Sequence, residues 1–182
     1  MRDDWPIQLK REAQALEARI REAFKGVSRE GGVSWSESVV IDLPEVSDLD
    51  FDQQRMEARA RDLDTSWEQL IDDPAWFSAC GIGGFPFLDA IGFRYYLPVA
   101  LIRTVRDRSD SDQGICFHLD IPPEAGWRRA YCVEHVSLLN RAQCQTVAAF
   151  LRFMNSVPDW PNPCLGDEWD AALRSHWTQF EP

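Results

Sequence analysis

Phe85-Pro-Phe-Leu-Asp-Ala-Ile-Gly-Phe-Arg-Tyr-Tyr-Leu-Pro-Val-Ala-Leu-Ile-Arg-Thr-Val105 is the stretch whose reading decides the fold. Asp89-Ala-Ile-Gly92 reads as a turn, because glycine accepts positive φ where other residues are strained. Phe93-Arg-Tyr-Tyr-Leu97 alternates and is aromatic, the pattern of a short, partly buried strand. Pro98 suits the first position of a helix, where its missing N–H costs nothing, and that helix is expected to run to about Asp107. Strand, turn, strand and helix in succession predict an α+β fold. The expectation is a helix-dominated single domain over residues 1–182 with a small antiparallel sheet built around 87–97.

Outward from this stretch, the first helix is set by Asp4-Trp5-Pro6 at its start and by an apolar stripe. Leu9, Ala13, Leu16, Ile20, Ala23, Phe24 and Val27 recur at spacings of three and four, up to a stop near Gly26. Glu17 and Arg21 form an i,i+4 pair expected on its wet side. Residues 27–52 read mostly as loop with one strand-like run, Val39-Val-Ile41. Good helix formers fill 53–62, and Thr65 or Ser66 can cap a short helix through Ile71. Gly81, Gly83 and Gly84 mark a connector between Pro74 and Pro86. Residues 108–114 read as a polar turn, Ile115–Leu119 as strand or helix fragment, and Ala130–Val136 as a short strand. Asn140 caps a clear helix, with Gln143 three residues on and Val147, Phe150, Leu151 and Met154 as its buried stripe. Pro158, Pro161 and Pro163 then lead to an amphipathic segment carrying Trp169, Leu173 and Trp177. The core is thus placed at about 5–155, with 156–182 a Pro/Trp-rich extension packed on it.

The chain has 182 residues, 45% hydrophobic, with eight Trp and ten Phe, which is ample for a sizeable core. No run approaches the roughly eighteen apolar residues of a membrane span. The N-terminus lacks an apolar signal region, so the expected compartment is the cytoplasm. Five cysteines at irregular spacing fit reduced thiols better than a disulfide framework. Charge is uneven: residues 1–30 carry a net +1, residues 31–74 a net −9 and residues 75–182 a net −3, within a total of −11. Such a field repels nucleic acid and anionic lipid and speeds encounter with a basic partner.

Motifs for chemistry are sparse. Cys116-x-His118 and Cys132-x-x-His135 offer the residue types of a zinc site. Without a tight Cys-x-x-Cys knuckle they read as buried thiols and satisfied histidines instead, so no metal is expected. Asp48-x-Asp50-x-Asp52 imitates a calcium loop, but Gln53 and Arg59 stand where Gly and Glu are needed. Gly81-Ile-Gly-Gly84 lacks the third glycine of a dinucleotide fingerprint, so no cofactor is expected. There is no phosphate-binding Gly-Lys-Ser/Thr and no nucleophile elbow. A Cys80 dyad with His118 or His135 rests on residue availability alone. Asp89 reads as a turn-former.

Three pieces together resemble an uncharacterised bacterial family of unknown function. They are Ile20-Arg-Glu-Ala-Phe24, the phrase Phe87-Leu-Asp89 … Gly92-Phe-Arg-Tyr-Tyr-Leu-Pro98, and Leu139-Asn-Arg-Ala-Gln143 … Val147-Ala-Ala-Phe-Leu151. The similarity spans about residues 7–155, with Leu97-Pro-Val-Ala100 where such members read Leu-Pro-Ala. It implies one small domain and brings no activity or site residues.

The functional expectation is a non-enzymatic acidic binding protein, of the immunity or antitoxin type that inhibits a basic bacterial toxin or effector. Its binding residues are expected in the acidic stretch: Glu37, Asp42, Glu45, Asp48, Asp50, Asp52, Asp62, Asp64, Glu68, Asp72 and Asp73. The bland alternative is a solvated acidic loop that aids solubility. The competing class is a small enzyme with a pocket near Asp89, Arg94, Tyr95 and Tyr96.

Overall fold

The computed structural model describes residues 5–43, 50–74, 76, 83–106, 115–157 and 168–181. Among them are eight α-helices and no strand, so the fold is all-α and the expected sheet is overturned. The helices are α1 (Ile7–Ala23), α2 (Trp35–Asp42), α3 (Phe51–Arg59), α4 (Ala90–Arg106), α5 (Ile115–Leu119), α6 (Trp127–Val136), α7 (Arg141–Ser156) and α8 (Glu168–His176). Short 3-10 turns cover Trp67–Leu70, Phe85–Phe87 and Trp177–Phe180.

The deciding stretch is a single helix, α4, which runs unbroken through Phe93–Leu97 and through Pro98. It is the centre of the fold: twelve of its seventeen residues are buried, against α1, α6 and the Trp67–Leu70 turn. A helix covered on several sides has no polar stripe, so its 3.6-residue period vanishes from the sequence. Aromatic residues that favour a strand on a half-buried surface are then equally at home in a helix. Pro98 removes the N–H that would bond the Arg94 carbonyl, a cost that the burial of Leu97, Val99, Ala100, Leu101 and Ile102 outweighs.

Gly92 is also not what its sequence implied. The glycines with positive φ are Gly26, Gly31, Gly83 and Gly84. Gly92 lies in the first turn of α4, and a Cβ there would come within 2.4 Å of the Val33 carbonyl oxygen. Its role is close backbone approach. Asp89 completes the contact: its Oδ1 accepts the Gly92 N–H at 2.8 Å and the Val33 N–H at 3.0 Å. One carboxylate thus caps α4 and pins the loop from α1 onto it.

Two more expected strands are helical. Val39–Ile41 lies in α2, which a full capping box starts: Ser34 accepts the Glu37 N–H and Glu37 accepts the Ser34 N–H. That local signal overrides the β preference of the branched residues. Ala130–Val136 lies in α6, whose Cys132, His135 and Val136 face inward at helical spacing. The two helices with clear apolar stripes match the reading. α1 buries Ala13, Leu16 and Ile20, and α7 starts with the Asn140–Gln143 capping box and buries Val147, Phe150, Leu151 and Met154. α7 packs on α1, α8 and the last 3-10 turn, so Trp169, Leu173 and Trp177 are core residues. No helix of the described residues is long and apolar enough to cross a membrane.

Candidate functional site

The acidic stretch folds into three settings. Glu37 is turned inward: beyond its capping role it pairs with Arg59 at 2.9 Å and Arg55 at 3.4 Å, tying α3 to α2. Arg59 also donates to the Gly32 carbonyl. Asp42 accepts the Gly83 N–H at 2.9 Å, and Asp50 caps α3 through the Gln53 N–H at 2.8 Å. These three acids hold local structure. Asp52 is exposed on α3 and Glu68 is half-buried in the Trp67–Leu70 turn. Glu45 and Asp48 lie outside the described residues.

Asp62 and Asp64 converge on Arg29. Asp62 accepts the Ser36 N–H at 2.8 Å and the Ser36 hydroxyl at 2.7 Å. Asp64 accepts the Tyr95 hydroxyl at 2.6 Å, and Arg29 lies 3.8 Å from Asp62 and 3.4 Å from Asp64. Burial and the Asp64 carboxylate both push the Tyr95 phenol up, so it stays a neutral donor. Tyr96 beside it is likewise raised by burial, and its oxygen accepts the Trp35 N–H at 2.9 Å. The loop Asp62-Leu63-Asp64 is therefore held at both carboxylates, while Leu63 between them is 84% exposed.

A recess lies on each side of this loop. One, of about 450 Å³, is lined by Trp35, Ser36, Asp62, Leu63, Asp73 and Trp76 among others. The other, of about 290 Å³, is lined by Arg29, Glu30, Asp62, Asp64, Thr65 and Tyr95 among others. Trp35 and Trp76 meet at 4.7 Å between ring centroids, and Arg103 covers a face of Trp76 at 5.6 Å. Ring faces are thus engaged within the protein, so the recess is not an aromatic cage. Trp76 Nε1 is buried and has no hydrogen-bond partner among the described residues. Asp72, at the far end, is exposed and paired with Arg106 at 2.6 Å.

The four residues of the alternative enzyme pocket do not converge on one opening. Asp89 serves the α4 cap, Arg94 donates to Gln143 at 3.1 Å, Tyr95 reaches Asp64 and Tyr96 reaches Trp35. Cys80 lies outside the described residues. His118 and His135 meet instead in a second cluster, buried under α5 and α6 with Phe93 beside both rings. Among the described residues no group of three or more His, Cys, Asp or Glu could hold a metal ion. Cys116 is a half-buried thiol that burial pushes up to about 12, which leaves it an unreactive SH.

Sequence reasoning missed Arg29, Ser36, Leu63, Trp35 and Trp76. The first three carried no motif, and the two tryptophans read only as core. The one available signal was Leu63, an apolar residue between two aspartates in a stretch with no helical period.

The chain belongs to a family of unknown function (DUF6714), whose model matches residues 12–181. The match reaches through α8 and so includes the Trp-rich C-terminal segment. No curated protein and no solved structure matches the chain.

Proposed function

We propose that this chain is an acidic binding protein that docks a basic protein segment on the face around Asp62-Leu63-Asp64. The observation that carries it is the loop itself: an exposed apolar tip between two carboxylates held by Tyr95, Ser36 and Arg29, with a recess on either side. Carboxylates already held in place cost little further ordering on binding, which favours affinity. An apolar anchor ringed by charge matches the anatomy of a binding hot spot. Residues 50–74 carry eight acids and three arginines, so the surrounding field is complementary to Lys and Arg side chains.

The biological form proposed for this binding is inhibition of a basic toxin or effector, of the immunity or antitoxin type. The net charge of −11 supports it, because such a field speeds capture of a cationic partner. A binder of this kind occludes its partner and needs no reactive group of its own.

The test uses short peptides alternating Leu with Lys or Arg, matched peptides alternating Leu with Glu, and amide NMR of the intact protein. The basic peptides are expected to shift Ser36, Leu63, Asp64 and the Trp76 indole. Binding should weaken as salt rises from roughly 0.01 to 0.15 M, and Leu63→Glu should abolish it with the fold intact. Shifts spread evenly over all exposed carboxylates, unchanged by Leu63→Glu, would refute a site at this loop.

A further inference from the structure

We propose that His118 is an acid-triggered latch, in which protonation of its imidazole releases α5 from Phe93 of α4 and Tyr131 of α6 and opens the apolar centre beneath it. This device is separate from the proposed docking face and does not depend on it.

The two rings are 4% and 6% exposed, so neither can shed charge to solvent. His135 Nδ1 lies 2.8 Å from the Tyr131 carbonyl, which only an N–H can satisfy, so Nε2 carries the free lone pair of the neutral ring. That Nε2 is buried and has no partner among the described residues. A proton arriving there creates a buried N–H with no acceptor. His118 Nδ1 stands 3.4 Å from the Tyr131 hydroxyl, which reaches the Pro86 carbonyl at 3.2 Å. The rest of the setting is aromatic: Phe85, Phe93 and Phe117 lie 5.4–6.4 Å from His118 or His135 between ring centroids.

The charged and titratable neighbours are few, and Arg128 among them opposes protonation of His118. From α6 they are Arg128, Tyr131 and Cys132. Just after α5 comes Asp120, which Arg128 already holds at 2.9 Å. From α5 itself comes Cys116, and Glu168 of α8 acts on that thiol. From α4 and from the Phe85–Phe87 turn come Phe93, Phe85 and the Pro86 carbonyl, which carry no charge. Burial lowers His118 to about 4, and the nearby His135 and Arg128 push the same way. The open state has no such penalty, so below the ordinary histidine range near 6.5 it takes up protons that the closed state refuses. α5 is the element to yield, because its five residues are little more than a single turn; it packs on α8 and the Phe85–Phe87 turn, and the Leu119 carbonyl at its end accepts the Trp177 indole N–H at 2.8 Å.

The experiment follows the intact protein from neutral pH to about pH 4 by near-UV dichroism, by binding of a hydrophobic dye, and by hydrogen exchange of α5 and α6. With three histidines in the chain, ring NMR resolves His118 from His135 and His176. Protection of α5 amides is expected to fall about tenfold per pH unit between 6.5 and about 4, the slope for one proton. His118 should titrate together with that opening. The double variant His118→Phe with His135→Phe should keep its protection over the same range. An unchanged transition in the double variant would overturn the latch. So would a wild-type His118 ring that titrates near 6.5 while the core stays closed, a result that needs no variant to fold.

Discussion

Replacing Gly92 with alanine separates two readings of the same residue. Helix propensity alone expects a gain of about 1 kcal/mol, since alanine is the best and glycine among the worst residues inside a helix. The structure expects a loss. The new methyl would sit 2.4 Å from the Val33 carbonyl oxygen, 3.1 Å from Asp89 Oδ1 and 3.3 Å from Leu88 Cδ2. Relief requires the Val33 backbone to retreat, but Asp89 holds its N–H. The adjoining Gly32 has no room either, since a Cβ there would come within 2.6 Å of the Ile91 side chain. Overpacking of this kind costs about 1–3 kcal/mol, and loosening a charged hydrogen bond adds about 1.5–3 kcal/mol. Set against the propensity gain, the expected net destabilisation is about 1.5–5 kcal/mol. Urea unfolding followed by far-UV dichroism measures it as a lower midpoint at unchanged slope. Gly126→Ala is the control: its φ of 168° is extended backbone and a Cβ there meets nothing within 4 Å. That variant should stay within about 0.5 kcal/mol of the parent. A Gly92→Ala protein as stable as the parent, or more so, would refute the close-approach argument.

Tyr96→Phe should cost about 1–3 kcal/mol in the same assay, because it strands the Trp35 N–H in a buried site. Glu37→Ala should cost about 2–3 kcal/mol, less than a fully buried ion pair, because its partners Arg55 and Arg59 are 34% and 43% exposed and can turn to water. Ser34→Ala should cost about 1 kcal/mol, and the double variant less than the sum, since both remove one capping box. Glu17 supplies a pH test. Burial raises its carboxyl, but Arg106 and Arg21 more than offset this and hold it below the usual carboxylate range. Its contribution is then present above about pH 4.5 and lost as pH falls through the folded value. Glu17→Gln should flatten stability against pH below about 4.5 only, leaving any loss between 6.5 and 4.5 in place.

The candidate site was legible only in part. That negative charge gathers in residues 31–74 is plain from the residues. Which acids face inward is not, because Glu37, Asp62 and Asp64 differ from Asp52 only in what lies opposite them. Arg29, Ser36 and Tyr95 are each more than twenty residues from the acid they hold, and no local pattern announces such a pairing. Glu17 shows the same effect: expected on the wet side with Arg21, it is covered because Arg106 reaches it from α4 at 2.7 Å.

Where a helix has one wet face, the order of residues determined its structure. α1 and α7 display their apolar stripes, and the Asn140–Gln143 capping box marks a start that needs no tertiary partner. Where a helix is covered on several sides, only the tertiary structure decided. Phe93-Arg-Tyr-Tyr-Leu97 can form a strand or a helix with nearly equal local preference. Packing against α1, α6 and the Trp67–Leu70 turn selects the helix, because it buries Phe93, Tyr95, Tyr96 and Leu97 on different sides of one axis. Gly92 and Asp89 follow from that choice, their role being the contact of Val33 with α4.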